Sequence, residues 1–277
     1  MRTRRRAGEH KLGVFKQMSA QGTSTGFSVQ EMGSIERFLT SRTVPLIYQT
    51  DENVGVHGTG TFFEHGGRPF LVTAGHVFNG IDPSNLGVPE RAGKDVSVWH
   101  FGHAKIHHPR NTDEFDVAVV ELQDRDFIAL VKAGWRFLST SNVAPPNPTT
   151  EQFIVAGYPN ETVKNNAGVL TPSALMQLYT GSYDGEVRDG RGEFDLLLRY
   201  SPEAGNMFGM RKATPALGGV SGAAVYSVMP STGALWAPES ILKVAGIQVS
   251  FMHSKYVRAK TWALVSHVLS LVVNAGP

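Results

Sequence analysis

The stretch Pro69-Phe70-Leu71-Val72-Thr73-Ala74-Gly75-His76-Val77 decides how the rest of the chain is interpreted. Its apolar beginning is typical of a buried β-strand, and its end places His76 directly after a small residue and a glycine. Burying a titratable ring at the end of such a strand is costly. A lone histidine there is more often a structural residue bonded to backbone than a catalytic base. Its role therefore depends on whether the chain also supplies an acid and a nucleophile.

The candidate acid is Asp116, which opens the apolar strand Val117–Val120. A carboxylate at the start of a buried strand costs desolvation free energy unless hydrogen-bond donors surround it. Taken alone, it is more often a turn residue. Asp113 and Glu114 are alternative acids, but they fall in a polar turn where a solvated charge is the ordinary interpretation.

The candidate nucleophile is Ser221, in a glycine-rich turn just before another apolar strand. Acyl transfer through serine needs backbone N–H groups that converge on the developing oxyanion. The glycines around Ser221, at 218, 219 and 222, permit the unusual backbone turn that this requires. A Gly-x-Ser-Gly string alone is a weak signal. The three candidates together occur in the order His, Asp, Ser, which is the chymotrypsin order and not that of subtilisin or the α/β-hydrolases.

Short strands separated by turn residues surround these candidates on both sides. With 30 glycines and 15 prolines in 277 residues, this pattern predicts an all-β protein. We expect a basic N-terminal arm and short helix over residues 1–43, a first β-barrel with His and Asp over 44–143, and a second β-barrel with Ser over 149–277. The proline-rich segment 144–148 would link the barrels, and a C-terminal helix is expected over 262–272. No helix of convincing length is expected within either set of strands.

These residues resemble the His, Asp and Ser signatures of trypsin-like serine peptidases, of the bacterial or intracellular type. Further segments also resemble sequences of this family; three lie in expected strands and one shortly precedes Asp116. They are Gly58–Phe62, His108-Pro109, Val155–Pro159 and Val244–Val249. The resemblance covers roughly residues 44–273. It implies a chymotrypsin-like fold of two six-stranded antiparallel β-barrels with a short C-terminal helix.

The resemblance implies that Ser221 attacks the scissile carbonyl, His76 moves the proton and Asp116 orients His76. It places the oxyanion hole at the N–H groups of Gly219 and Ser221. The substrate-binding residues it implies lie beside the nucleophile and on the cleft-lining strand: Pro215, Val249, Ser250 and Phe251.

Two residues depart from the secreted members of the family. Val220 stands where those members have an acid that pairs with a new N-terminus, so zymogen-style activation is not expected. Pro215 stands where an acid would select Lys or Arg, and Phe251 would narrow the pocket. These departures indicate a preference for a small or medium apolar P1 side chain.

Composition excludes several other classes of site. The chain has no cysteine, which removes thiol catalysis, disulfides and Cys-ligated zinc. The histidine group His100, His103, His107 and His108 is better explained as structural or surface residues than as a metal site. No cofactor or metal is therefore expected. No apolar run is long enough to span a membrane, and no signal peptide follows the N-terminal bases, so a cytoplasmic location is expected.

The sequence therefore predicts a serine endopeptidase that acts on protein or peptide substrates through an acyl-enzyme. Two alternatives remain open: a catalytically silent binding module with the same fold, and an esterase with the same triad. Net charge is +2, with bases concentrated near the N-terminus. That arm is expected to be a solubilising tail, and a nucleic-acid contact through it is the less favoured interpretation.

Overall fold

The computed structural model describes residues 16–17, 26–50, 54–91, 97–101, 104–109, 112–145, 150–162, 164–166, 169–171, 175–205, 211–231 and 236–275. Its strands are β1 Lys16–Gln17, β2 Thr43–Gln49, β3 Val54–His65, β4 Arg68–Ala74, β5 Leu86–Pro89, β6 Val98–His100, β7 Lys105–His107, β8 Val117–Glu121, β9 Gln152–Gly157, β10 Lys164–Asn166, β11 Val169–Thr171, β12 Met176–Gly181, β13 Asp195–Arg199, β14 Glu203–Gly205, β15 Arg211–Ala213, β16 Ala224–Val228, β17 Leu242–Met252 and β18 Tyr256–Thr261. Its α-helices are α1 Val29–Thr40, α2 Thr112–Phe115, α3 Arg125–Gly134, α4 Pro238–Ile241 and α5 Trp262–Asn274.

Two curled sheets contain most of these strands, as an all-β fold requires. The first has the order β6-β5-β2-β3-β4-β8-β7, and every pairing in it is antiparallel. The second has the order β1-β12-β9-β16-β17-β18-β13 and is antiparallel except for β1 on β12. Over the described residues each sheet thus has seven strands instead of the expected six. In the second sheet the seventh is the two-residue β1, from the segment expected to be a mobile arm.

Strands β4 and β8 bury both of their faces, which is why they are continuous apolar runs. In β4, Phe70 and Val72 pack into a core shared by both sheets, whereas Leu71 packs into the core of the first sheet alone. Alternate residues of a strand point to opposite faces, so each face must be apolar here. The shared core also holds α1 and α5 residues such as Phe38 and Trp262. The strand that leads to His76 therefore runs between two hydrophobic cores.

The helices predicted near both ends of the chain are present, and one helix in the middle was not predicted. Ser28 caps α1, and its hydroxyl and backbone exchange hydrogen bonds with Glu31 in a capping box. Helix α5 confirms the expected C-terminal helix. The ten-residue helix α3 was not expected; Asp124 caps it, and it buries Phe127 and Val131. No helix in the described part of the chain is long and apolar enough to cross a membrane.

Strands β3 and β4 form a hairpin. Gly66 and Gly67 form its turn with φ of +57° and +76°, which glycine adopts without steric cost. Residues 146–148 of the expected linker and most of the basic arm lie outside the described residues. The expected boundaries at 43/44 and 143/149 stay predictions.

Candidate active site

His76 lies in a short 3₁₀ helix, Gly75–Phe78, that begins where β4 ends. The antiparallel pairing of β4 with β8 brings Asp116, the residue just before β8, beside this helix. The Asp116 carbonyl accepts a hydrogen bond from the Gly75 N–H at 3.1 Å. A Cβ on Gly75 would lie 3.2 Å from Asp116 Oδ1, so the glycine permits this close approach.

Both carboxylate oxygens of Asp116 contact His76. Oδ1 accepts the His76 backbone N–H at 2.8 Å, and Oδ2 lies 2.8 Å from His76 Nδ1. Because an ionised carboxylate can only accept, this geometry assigns the ring proton to Nδ1 and leaves Nε2 as an acceptor. The His76 side chain is 40% exposed and the Asp116 side chain 22%. The ring is thus fixed on its buried side and open to proton transfer on the other.

A second histidine, His57, lies close to this pair, which sequence reasoning missed. Burial lowers the pKa of His57 below its usual value, and the nearby His76 lowers it further, although a hydrogen bond to the Val77 backbone opposes the shift. Its ring also stands 5.8 Å from that of Tyr48. His57 is therefore a neutral neighbour of His76 near pH 7. In the sequence, His57 is one histidine in a stretch expected to be a strand, and that is not a specific signal.

The turn that contains Ser221 depends on two glycines in the left-handed region. Gly219 has φ of +84°, and a Cβ there would fall 2.1 Å from Asn160 Oδ1. Gly222 has φ of +90°, and a Cβ there would fall 2.0 Å from Thr73 Oγ1. Any side chain at either position would force its neighbours apart. The glycine pattern around Ser221 thus reflects contacts that leave no room for a side chain.

The Ser221 turn packs directly against the strand that leads to His76. A Cβ on Gly222 would also lie 2.9 Å from the Ala74 backbone nitrogen, two residues before His76. The Ser221 carbonyl accepts the Thr59 N–H of β3 at 2.8 Å. Within the described residues, neither the Ser221 hydroxyl nor His76 Nε2 has a hydrogen-bond partner. Contacts between a nucleophile and its base are commonly loose before substrate binds.

Two backbone N–H groups of the turn, those of Gly219 and Ser221, have no acceptor among the residues that the structure describes. The carbonyls of the same two peptide units are occupied: Gly218 O accepts from Asn160 N at 2.7 Å, and Val220 O accepts from Ala223 N at 2.8 Å. A trans peptide directs its C=O and its N–H in opposite directions. Both free N–H groups therefore point away from these partners. Such a fixed pair of donors beside a serine is suited to binding an oxyanion.

The residues expected to bind substrate are only partly brought together. The Tyr200 hydroxyl donates to Pro215 O, and the Tyr200 ring meets the Phe251 ring edge-on at 5.9 Å. Phe251 is 37% exposed, and its neighbour Ser250 is also exposed. Val249 is 4% exposed and packs into the core of the first sheet. Val249 lies at a register shift between Gln248 and Ser250. The Val249 side chain is thus inaccessible to a substrate in this structure.

Burial and the negative charge of Glu161 together raise the pKa of Tyr200 to about 12. Tyr200 therefore stays protonated and keeps donating to Pro215 across the neutral range. Glu161 itself accepts the Ala216 N–H at 3.1 Å. Sequence reasoning missed Tyr200 and Glu161, because neither belongs to a motif.

The histidine group has no common centre. His107 lies 3.5 Å from Glu121, which is ion-paired with Arg68, whereas His108 meets the edge of the Phe78 ring. Burial lowers the pKa of His107, although the Glu121 carboxylate 3.5 Å away opposes the shift. His103 lies outside the described residues. Within the described residues, no three metal-ligating side chains converge.

Comparisons with known proteins show the fold. No protein-family model matches the sequence, and no curated protein matches it significantly. A thermostable serine protease from an extremophilic microorganism is similar in structure, with a TM-score of 0.51 and 11% identity over 84% of this chain and 97% of that one. A scabies mite inactivated protease paralogue also has a TM-score of 0.51, with 15% identity over 86% and 97% of the two chains. The serine protease domain of the Sesbania mosaic virus polyprotein has a TM-score of 0.45, with 18% identity over 82% and 91%. The chain thus has the chymotrypsin-like fold of two β-barrels, which confirms the predicted fold class.

Proposed function

We propose that this protein is a serine endopeptidase that cleaves peptide bonds through an acyl-enzyme. One observation carries the proposal. A histidine oriented by a carboxylate stands beside a serine turn, and in the described part of the chain neither its Nε2 nor two N–H groups of the turn have a partner. The chymotrypsin-like fold supports the same function, but fold alone does not establish activity.

Each group has one role in this mechanism. Ser221 Oγ attacks the scissile carbonyl carbon while His76 Nε2 takes the hydroxyl proton. The carbonyl oxygen becomes an oxyanion that accepts from the N–H groups of Gly219 and Ser221. The imidazolium, stabilised by Asp116, gives its proton to the leaving amine as the C–N bond breaks. Water then hydrolyses the acyl-enzyme by the same steps, and the proton returns to Ser221.

The residues near Pro215 support a preference for a small or medium apolar P1 side chain. Tyr200 contacts Pro215 and its ring meets that of Phe251, so these two rings leave less space near Pro215 than small side chains would. A peptide-library profile dominated by cleavage after Lys or Arg would contradict this preference. The substrate class is protein or peptide, and no metal or cofactor is proposed.

Two alternatives make different predictions. A silent binding module would keep the fold without chemistry, as in the scabies mite protein, which is an inactivated protease paralogue. An esterase would use the same residues on small acyl esters but would not cleave proteins. Neither alternative is favoured by a specific contact in this structure.

The test compares wild type with Ser221→Ala. We expect a fluorophosphonate probe to label wild type at Ser221 and to leave the variant unlabelled. Incubation with a cell lysate should then produce new N-termini with wild type only. Failure of wild type to label would favour the silent module. Labelling and ester hydrolysis without any new N-termini would favour the esterase.

A further inference from the structure

Thr59 is a buried residue of β3 that contacts the Ser221 turn from the other sheet. It is 0% exposed. Its hydroxyl donates to Gly219 O at 2.8 Å and accepts the Tyr158 N–H at 3.2 Å. Its backbone N–H donates to Ser221 O at 2.8 Å. One residue of the first sheet thus binds two carbonyls of the candidate oxyanion turn.

The hydrogen bonds that hold the carbonyls of the Ser221 turn all come from uncharged donors. Asn160 N holds the carbonyl of Gly218, and Thr59 holds those of Gly219 and Ser221. Val220, at the position before the serine, is fully buried and offers no charge. The peptide planes around the two free N–H groups are therefore set by neutral hydrogen bonds. A neutral bond of this kind does not depend on the ionisation of a partner.

We infer that Thr59 is a positioning residue, which keeps the N–H groups of Gly219 and Ser221 converged on the site of the oxyanion. This inference rests on the proposed function. Removing the hydroxyl would leave the buried Gly219 carbonyl and the Tyr158 N–H without these hydrogen bonds. Among the described contacts, the peptide between Gly219 and Val220 would then keep only the bond from the Val220 N–H to Leu217 O at 3.0 Å. Its remaining motion would spread to the N–H groups on either side.

The same strand offers a matched control. Thr61 lies two residues further along β3, on the same face, and is also 0% exposed. Its hydroxyl has no hydrogen-bond partner in the described part of the chain. Thr61→Val therefore removes a hydroxyl from the same buried strand as Thr59→Val does. It does not remove any hydrogen bond to the Ser221 turn.

The experiment measures two quantities in wild type, Thr59→Val, Thr61→Val and Thr59→Ser. The first is the second-order rate of Ser221 labelling by a fluorophosphonate. The second is the hydrogen-exchange rate of the Val220 and Gly222 amides. Direct loss of an oxyanion donor costs about 10²–10³-fold in rate, so we expect about 10- to 100-fold slower labelling for the indirect Thr59→Val change. Exchange should become roughly tenfold or more faster in that variant alone.

The two controls separate positioning from general loosening. We expect Thr61→Val to label within about twofold of wild type, because no hydrogen bond is lost. Thr59→Ser keeps the hydroxyl and should recover most of the labelling rate that Thr59→Val loses. With a peptide substrate, kcat should fall in Thr59→Val while KM changes little, because the contact acts on the oxyanion.

Each outcome decides the inference. Wild-type rates of labelling and exchange in Thr59→Val would overturn it, as would equal losses in Thr59→Val and Thr61→Val. If wild type itself does not label, the proposed function fails, and the exchange rates alone decide whether Thr59 holds the turn. If Thr59→Val does not fold, Thr59→Ala and its control Thr61→Ala replace the pair, with the same expected difference.

Discussion

Replacing Asp116 by asparagine tests the central geometry of the site. The carboxylate accepts two N–H groups of His76, each at 2.8 Å, one from the backbone and one from Nδ1. An asparagine that keeps the backbone bond through its oxygen turns its NH₂ group towards Nδ1. Nδ1 must then be an acceptor, so the ring proton moves to Nε2. A protonated Nε2 cannot take the proton of Ser221.

We expect Asp116→Asn to lower kcat by about 10⁴-fold, which corresponds to about 5.4 kcal/mol of activation free energy. The assay is single-turnover acylation by an activated ester, with the thermal midpoint measured in parallel. Asp124→Asn is a matched control, because Asp124 only caps α3 and asparagine caps a helix equally well. The tautomer argument is refuted if Asp116→Asn keeps more than about a tenth of the wild-type rate. It is also refuted if ¹⁵N spectra place the His76 proton on Nδ1 in that variant.

Three further predictions concern stability around the site. Gly222→Ala should lower the free energy of unfolding by at least ~2 kcal/mol, since its Cβ would fall 2.0 Å from Thr73 Oγ1 at φ of +90°; an unchanged urea midpoint would contradict this. Arg68→Met should cost ~3 kcal/mol, because it leaves the Glu121 carboxylate buried without its cation; equal stability of the two proteins at pH 7 would disprove it. Burial lowers the pKa of His57, so below about pH 6.5 the unfolded state binds a proton that the folded state rejects, and stability falls with falling pH. His57→Gln should reduce this loss between pH 7 and 5, and an identical slope of thermal midpoint against pH would show that His57 does not contribute.

The contact between His76 and Asp116 was predictable because it is set by one strand pairing. Two apolar runs that both bury two faces must lie inside the molecule, and β4 pairs with β8. His76 follows one strand and Asp116 precedes the other, so an antiparallel pair brings them to the same end. The glycines at 219 and 222 were predictable for a similar reason, since each position has φ that other residues rarely adopt.

Other features depend on contacts that have no local signal. Val249 was expected to line the substrate cleft, but it lies at a register shift in β17 and packs into a hydrophobic core. Helix α3 is an exception, because Asp124 is a recognisable cap and the buried Phe127 and Val131 are four residues apart, as on one face of a helix. Tyr200 and Glu161 lie far in sequence from Ser221 and reach its turn only through the folded second sheet.

Thr59 and Thr61 show most clearly where sequence reasoning stops. Both are β-branched residues on the same face of the same buried strand, and no pattern separates them. They differ in their hydrogen bonds: the Thr59 hydroxyl meets a peptide carbonyl and a peptide N–H, whereas the Thr61 hydroxyl has no partner among the described residues. The candidate site is thus made where the sheets meet, and its geometry is a property of their packing. A displacement of one sheet against the other by about 0.5 Å would stretch the Thr59 bonds beyond the range of ordinary hydrogen bonds. The two halves must therefore pack as one body for the Ser221 turn to keep its donors in place.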